Sequence, residues 1–394
     1  MIKLNSNISK LKKNYLFVDI ARKTQEYISK NPNADLIRMG IGDVTLPLSK
    51  VVVDAMKEAS DEMSNSSTFK GYGPHEGYEF LREAISNRYK ALGVDIKPNE
   101  IYVSDGAKSD AANILDIFAD NSTVLISDPV YPVYQDSNVI HGNTVKYMQA
   151  TEENGFLPLP DESLKADIIC ICSPNNPTGA VYSREQLKKW VDFALENKSI
   201  IIFDAAYEAF IDDPNLPHSI FEIDGAKKCA IELCSFSKSA GFTGIRCAYT
   251  VISNELEIDG VSIGSAWLRR QSIKFNGVSY VTQKAALASL SEEGIRQNLE
   301  SIKYYKKNAK ILAQAMDKLG FWYTGGKNAP YLWIKCPNNM KSWDMFDYLL
   351  EKCNIICTPG SGFGENGEGF IRLSSFGSYE NTLRAVERLK NTKF

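Results

Sequence analysis

A mostly parallel α/β sheet covered by helices on both faces is the fold class this chain predicts. Two observations predict it. Seven short apolar runs recur between residues 101 and 252 with helical patterns between some of them, the alternation that builds parallel sheets. Polar residues able to do chemistry gather at the ends of those runs, where open α/β sheets hold their ligands. The runs are Ile101–Ser104, Thr123–Ser127, Thr144–Met148, Asp167–Cys172, Ser199–Asp204, Ala230–Ser235 and Cys247–Ile252. Between two of them, Ser183–Glu196 has helical periodicity and opens with a Ser-x-x-Gln capping-box pattern.

The flanks read differently. An amphipathic helix is expected near Leu16–Ser29, followed by the loop Gly40-Ile-Gly42-Asp43. Beyond about Ser279 a helical stretch runs from Tyr280 to Lys318, with a break expected near Gly294. Short strands are expected at Gly320–Thr324, Tyr331–Lys335, Ile355–Thr358 and Gly369–Ser374, with helices at Ser342–Cys353 and Glu380–Lys390. The expected division is a large unit over 46–280 and a smaller α+β unit built from 1–45 with 281–394.

Composition narrows the function classes. The 394 residues are 44% hydrophobic and 24% charged, an ordinary globular balance large enough for two domains. Lys and Arg number 45 against 48 acids, so there is no electrostatic footprint for nucleic acid. The basic cluster Lys10-Leu-Lys-Lys13 reads as a solvated arm. No apolar stretch reaches the roughly 18–20 residues of a membrane span, and the N-terminus lacks a secretory apolar core. The eight cysteines form no CxxC pair, and Cys170 and Cys172, on one face of one run, have no second pair to complete a zinc site. Reduced, packed thiols and a cytoplasmic location are expected. His75, His141 and His218 are scattered and suggest neither a metal site nor a Ser-His-Asp set. Gly362-Phe-Gly364-Glu-Asn-Gly367 fits G-x-G-x-x-G but falls between two expected strands and opens no helix, so it is not a dinucleotide fingerprint.

Lys238 is the most informative residue. It lies in Ser235-Phe-Ser237-Lys238-Ser-Ala-Gly-Phe-Thr-Gly-Ile-Arg246, directly after an apolar run. A lysine amine can bond reversibly to an aldehyde, while Ser235, Ser237 and Arg246 supply donors for a phosphate. Pyridoxal 5′-phosphate (PLP) needs that pairing. It also needs an acid at its ring nitrogen, and Asp204 ends the run Ile-Ile-Ile-Phe-Asp204-Ala-Ala-Tyr207. Tyr207 and Asn176, the latter in Ser-Pro-Asn-Asn176-Pro-Thr-Gly, can donate to the cofactor's phenolic oxygen. At Ser104-Asp-Gly106-Ala107-Lys108-Ser109 a strand gives way to a helix, and backbone N–H groups there suit a phosphate.

These motifs, in this order and with Arg372 in Gly-Phe-Ile-Arg372-Leu-Ser-Ser-Phe-Gly, resemble the fold-type I, class I/II PLP-dependent aminotransferases over essentially the whole chain. Further stretches resemble the LL-diaminopimelate aminotransferases within that family: Tyr15-Leu-Phe-Val-Asp-Ile-Ala-Arg22, Met39-Gly-Ile-Gly-Asp43, Asp128-Pro-Val-Tyr131-Pro-Val-Tyr134 and Phe275-Asn276-Gly-Val. The resemblance implies the fold-type I architecture, PLP as cofactor, and an amino group exchanged between amino-acid and 2-oxo-acid substrates. Those relatives work between glutamate and tetrahydrodipicolinate, in lysine and cell-wall synthesis. It also implies that Tyr131 stacks on the cofactor ring and that Arg372 grips the substrate α-carboxylate. Tyr15, Gly42 and Lys108 correspond to contacts with the rest of the substrate. Tyr72 and Asn276 correspond to residues lent to the other subunit's site, which implies a homodimer with shared sites.

The chain departs from those relatives at His75-Glu76, where they carry an acid and then a glutamine near the substrate's distal end. Tyr379 stands where arginine is common. The open alternatives are therefore an aminotransferase for a lysine-, aspartate- or aromatic-type donor, and a PLP lyase or decarboxylase on the same fold. A PLP-sensing regulator domain is disfavoured, since no winged helix precedes Tyr15.

Overall fold

The computed structural model describes residues 2–11 and 15–394, so Lys12 and Lys13 of the basic cluster lie outside the described residues. All seven expected runs form strands of one sheet: β1 (Ile101–Ser104), β2 (Thr123–Asp128), β3 (Thr144–Gln149), β4 (Ile168–Cys172), β5 (Ile200–Asp204), β6 (Ala230–Ser235) and β7 (Ala248–Ile252). Their order across the sheet is β1-β7-β6-β5-β4-β2-β3. Neighbours are parallel except around β7, which runs antiparallel to both β1 and β6.

Strands β4, β5 and β7 are buried at every position because helices cover both faces. Alternation sorts their side chains into two cores. Ile169, Ile171, Ile201 and Phe203 enter one, while Ile168, Cys170, Ile200 and Ile202 enter the other. Each such side chain contributes about 1.5–3 kcal/mol by leaving water. The edge strand β3 is instead exposed or half-buried at every position but Met148. The helix Arg184–Asn197 is capped as expected: the Ser183 hydroxyl accepts from Gln186 N at 3.2 Å, and the Gln186 side chain accepts from Ser183 N at 2.9 Å.

A second, four-stranded antiparallel sheet orders Tyr323–Gly325, Tyr331–Lys335, Phe370–Ser374 and Thr358–Pro359. It shares a core with the helices Glu292–Leu319, Ser342–Cys353 and Tyr379–Lys390. The short strand Ile37–Arg38 pairs in parallel with Ile355–Ile356, which ties the N-terminal segment to this unit. The helix expected near Leu16–Ser29 spans Leu16–Lys30.

Three expectations are corrected. The long helical stretch breaks at Leu290 and Ser291, not at Gly294, because the Ser291 side chain caps the second helix by accepting from Gly294 N at 3.0 Å. The expected strand Ile355–Thr358 is two short strands serving different partners, Ile37–Arg38 and Phe370–Ser374. The strand expected from Gly320 starts at Tyr323, because Gly320 is the left-handed C-cap (φ 72) of the preceding helix. All eight cysteines are free and buried. No helix among the described residues is long and apolar enough to cross a membrane.

Candidate active site

One end of the large sheet faces the small one across a cavity of about 540 Å³. The C-terminal ends of β5 and β6 reach it directly, through Asp204 and Ser235. The turns after β1, β2 and β4 bring Ala107 and Lys108, Tyr131, and Asn176. Arg246 precedes β7. It reaches the same edge only because β7 is antiparallel, which puts the start of that strand beside the ends of its neighbours.

Lys238 sits on the single helical turn Phe236–Ser239 that follows β6, with the Ser235 hydroxyl capping the turn by accepting from Ser237 N at 3.1 Å. Its amine donates to the Gly42 carbonyl and lies 5.5 Å from the centre of the Phe376 ring. Gly42 has no room for a side chain, since a Cβ there would stand 2.7 Å from the buried Tyr331 hydroxyl. Burial pulls the Lys238 amine down to about 8; Arg372 and Arg246 push the same way, and Asp43 opposes them. Near neutrality about a tenth of the lysine is thus free amine, far more than for an ordinary lysine, which favours bonding a carbonyl or carrying a proton.

Asp204 is 8% exposed. Its carboxylate accepts from the Tyr134 hydroxyl, from Ala206 N at 2.9 Å and from the Cys172 thiol, yet burial still raises it above the usual carboxylate range. Among the described residues it forms no salt bridge. A buried acid bordering a cavity and lacking a cation fits a cationic ring N–H, which is what the PLP pyridine nitrogen offers.

The anion-binding corner is built from Ser235, Ser237, Arg246 and the turn at Gly106. Arg246 donates from Nη1 to the Ser237 hydroxyl at 3.3 Å. A Cβ at Gly106 would stand 2.3 Å from Arg246 Nη2, so the guanidinium lies directly over that turn. Ser109 does not line the cavity; its hydroxyl is 3.9 Å from the same point. The donor set suits a phosphate.

Arg372 comes from the middle of a strand of the small sheet and is 1% exposed. It donates to Asn176 Oδ1 at 2.6 Å and to the Gly40 carbonyl at 2.6 Å, and its guanidinium lies 4.3 Å from the Tyr331 ring centre and 5.0 Å from that of Phe363. Its Nε has no partner, and Arg372 forms no salt bridge among the described residues. An uncompensated guanidinium at the cavity wall is ready for a carboxylate. Tyr207 bonds the Tyr331 hydroxyl at 2.7 Å. Lys108 stands at the mouth, 5.4 and 5.9 Å from the ring centres of Tyr15 and Tyr131.

Four sequence-predicted positions, Tyr72, His75, Glu76 and Asn276, fall elsewhere. Tyr72 is 89% exposed, and Asn276 is exposed beside Phe275, whose carbonyl is 3.2 Å from His75 Nδ1. Glu76 lies 3.8 Å from Arg82. None of the four lines this chain's cavity. Conversely, Tyr134, Cys172 and Tyr331 gained no role from sequence reasoning. Tyr134 could have been found: it lies three residues after Tyr131, at the start of the helix Val133–His141. Tyr331 could not, since only strand pairing sets it on the Arg372 face, two residues from Trp333, the direct partner of Arg372. The G-x-G-x-x-G stretch opens no helix of dinucleotide type; Glu365 N and Asn366 N donate to the Asp128 carboxylate at 3.1 and 3.2 Å.

Residues 34–389 match the aminotransferase class I and II family. The chain is 52% identical to the LL-diaminopimelate aminotransferase of Agathobacter rectalis, over 99% of this chain and 100% of that protein. It is 49% identical to the one from Methanosphaera stadtmanae, over the whole of both. Among solved structures, the L,L-diaminopimelate aminotransferase from Chlamydomonas reinhardtii superposes with a TM-score of 0.93 at 43% identity, covering 99% of this chain and 98% of that one.

Proposed function

Because the chain belongs to the class I and II aminotransferases, which use PLP, we propose that it transfers an amino group between glutamate and tetrahydrodipicolinate to make LL-diaminopimelate, for lysine and cell-wall synthesis. The observation that carries the chemistry is the convergence of Lys238, Asp204 and Arg372 on one cavity. The full-length likeness to diaminopimelate enzymes supports the substrate.

When bound, PLP supplies the electron sink that weakens the Cα–H bond of an amino acid. Lys238 would hold the cofactor through its carbonyl and, as a free amine, would take up and return the substrate's Cα proton. Asp204 would face the ring nitrogen and keep its proton in place. Asn176, whose Oδ1 is engaged by Arg372, has its Nδ2 free to donate to the phenolic oxygen together with the Tyr207 hydroxyl. Ser235, Ser237, Arg246 and the backbone at Ala107 and Lys108 would hold the phosphate, and Tyr131 would stack on the ring. Arg372 orients the substrate by its α-carboxylate, and Tyr15, Gly42 and Lys108 contact the remainder.

Exposed Tyr72 and Asn276 and half-buried His75, none of which lines this chain's own cavity, support a homodimer in which each subunit completes the other's site, with Glu76 next to His75. The two sheets with their separate cores support a large domain over 46–280 and a small one over 1–45 with 281–394. Eight buried, unpaired thiols fit a reducing cytoplasm.

A coupled assay with LL-diaminopimelate and 2-oxoglutarate, run beside lysine, aspartate and aromatic donors, tests the substrate. Turnover of diaminopimelate at least tenfold above every other donor is expected. Turnover of another donor with none of diaminopimelate would remove the substrate and leave the transamination.

A further inference from the structure

One buried acid beside the site has no part in that chemistry. Asp110 is 1% exposed, at the end of the first turn of the helix Ala107–Asn113, next to the anion-binding corner. Its Oδ2 is the meeting point of two hydroxyls from different strands: Ser104 at the end of β1, at 2.5 Å, and Thr250 in β7, at 2.7 Å. Its Oδ1 is buried without any partner. The link matters because β1 leads into Gly106 and β7 is preceded by Arg246, so the carboxyl ties together the two halves of the corner.

We propose that Asp110 is a positioning residue for the cofactor phosphate: it clamps the Gly106–Lys108 turn to β1 and β7, and it does so as a neutral carboxylic acid. The geometry favours the neutral form. Two donors on Oδ2 and none on Oδ1 leave a buried carboxylate only half satisfied, whereas the acid carries no charge to desolvate and its Oδ2–H can donate to one hydroxyl oxygen while accepting from the other. The charged or titratable groups facing it are Asp105, which disfavours its ionisation, the buried Cys247 thiol, and Arg270, which favours ionisation but is itself held by Asp116 at 2.8 Å. Burial, the largest influence, raises Asp110 to about 7. A phosphate arriving at the corner adds a second negative charge that opposes ionisation. By reciprocity, a proton on Asp110 tightens phosphate binding, and its loss loosens it.

The inference rests on the cofactor reading of the cavity, and its test separates the two. Binding of pyridoxamine 5′-phosphate, which forms no bond to Lys238, is measured by fluorescence between pH 6 and 8.5 for wild type, Asp110→Asn and Asp110→Ala. Wild type and Asp110→Asn are expected to agree at pH 6. Wild-type affinity then falls relative to Asp110→Asn by about fivefold or more as pH rises, the lower end of ordinary coupling between sites. Asp110→Ala, which has no clamp, binds more weakly throughout. Parallel pH curves for wild type and Asp110→Asn, or undiminished binding by Asp110→Ala at pH 6, overturn the proposal while leaving the cofactor site intact. No binding by wild type at any pH overturns both. If Asp110→Asn does not fold, Thr250→Val reads the same carboxyl: removing one donor to Oδ2 moves the pH midpoint of binding upward, and an unmoved midpoint overturns the clamp.

Discussion

The two sheets equip the cavity in opposite ways. The large sheet contributes at its edge: Asp204 and Ser235 are the last residues of β5 and β6, and Lys238 lies one turn beyond. The small sheet contributes from a strand interior, with Arg372 at the centre of Phe370–Ser374 between apolar neighbours. At an edge, polar side chains meet the cavity where the backbone already leaves the sheet, so chemistry can be placed there without disturbing either core. An arginine inside a fully buried strand must be desolvated, and its cost is offset only in part by Asn176, Gly40 and the Tyr331 and Phe363 rings. Lys238 and Asp204 at the strand ends also lose water, but they leave the apolar cores on either face untouched, whereas Arg372 occupies a position inside a strand.

The largest expected effect falls on the edge. Lys238→Ala should lower transamination by about four orders of magnitude or more and abolish the visible absorbance of bound cofactor, while the urea midpoint of the apo-protein stays at or above that of wild type. Single-turnover kinetics and a denaturation series read both; residual turnover within tenfold of wild type would refute the assigned role. Next comes the strand. Arg372→Met should reduce kcat/KM by about 100-fold, the equivalent of about 2.7 kcal/mol, yet leave apo stability unchanged or raise it by about 1–2 kcal/mol. A strongly destabilised variant would show the arginine to be a structural member of the sheet and erase the contrast drawn above.

The smallest effect is a pH slope. The folded Lys238 amine titrates near 8 against 10.5 for an ordinary lysine, so above about 8 the unfolded chain binds more protons than the folded one. Stability of the apo-protein should therefore gain from this group as pH rises from about 8 toward 10.5, and Lys238→Met should lack that gain. Equal slopes for the two proteins would mean that the amine is not desolvated.

Much of the fold was legible because buried strands announce themselves. Ile168–Cys172 and Ile200–Asp204 have few polar residues to hide, and each stops where a polar residue or a turn begins. Lys238, Asp204, Ser235 and Ser237 were legible as site candidates for the same reason, since they mark those stops or follow them directly. The helix break was misplaced because glycine weakens a helix anywhere, whereas the Ser291 cap that decides the end acts through one hydrogen bond. Ile355–Thr358 was read as one strand because its composition is uniform; its division reflects two partners distant in sequence.

By itself the sequence determined the strand set, the PLP chemistry and the residues that announce it, because local apolarity, turn residues and motif order are properties of short stretches. Tertiary structure alone decided that β7 runs antiparallel and so carries Arg246 to the active edge, that Tyr134 closes on Asp204, that Tyr331 shares a face with Arg372, and that Asp110 joins two strands next to the phosphate corner. Strand direction, register and the meeting of side chains more than a hundred residues apart are settled by how whole layers pack, and no short stretch holds that information.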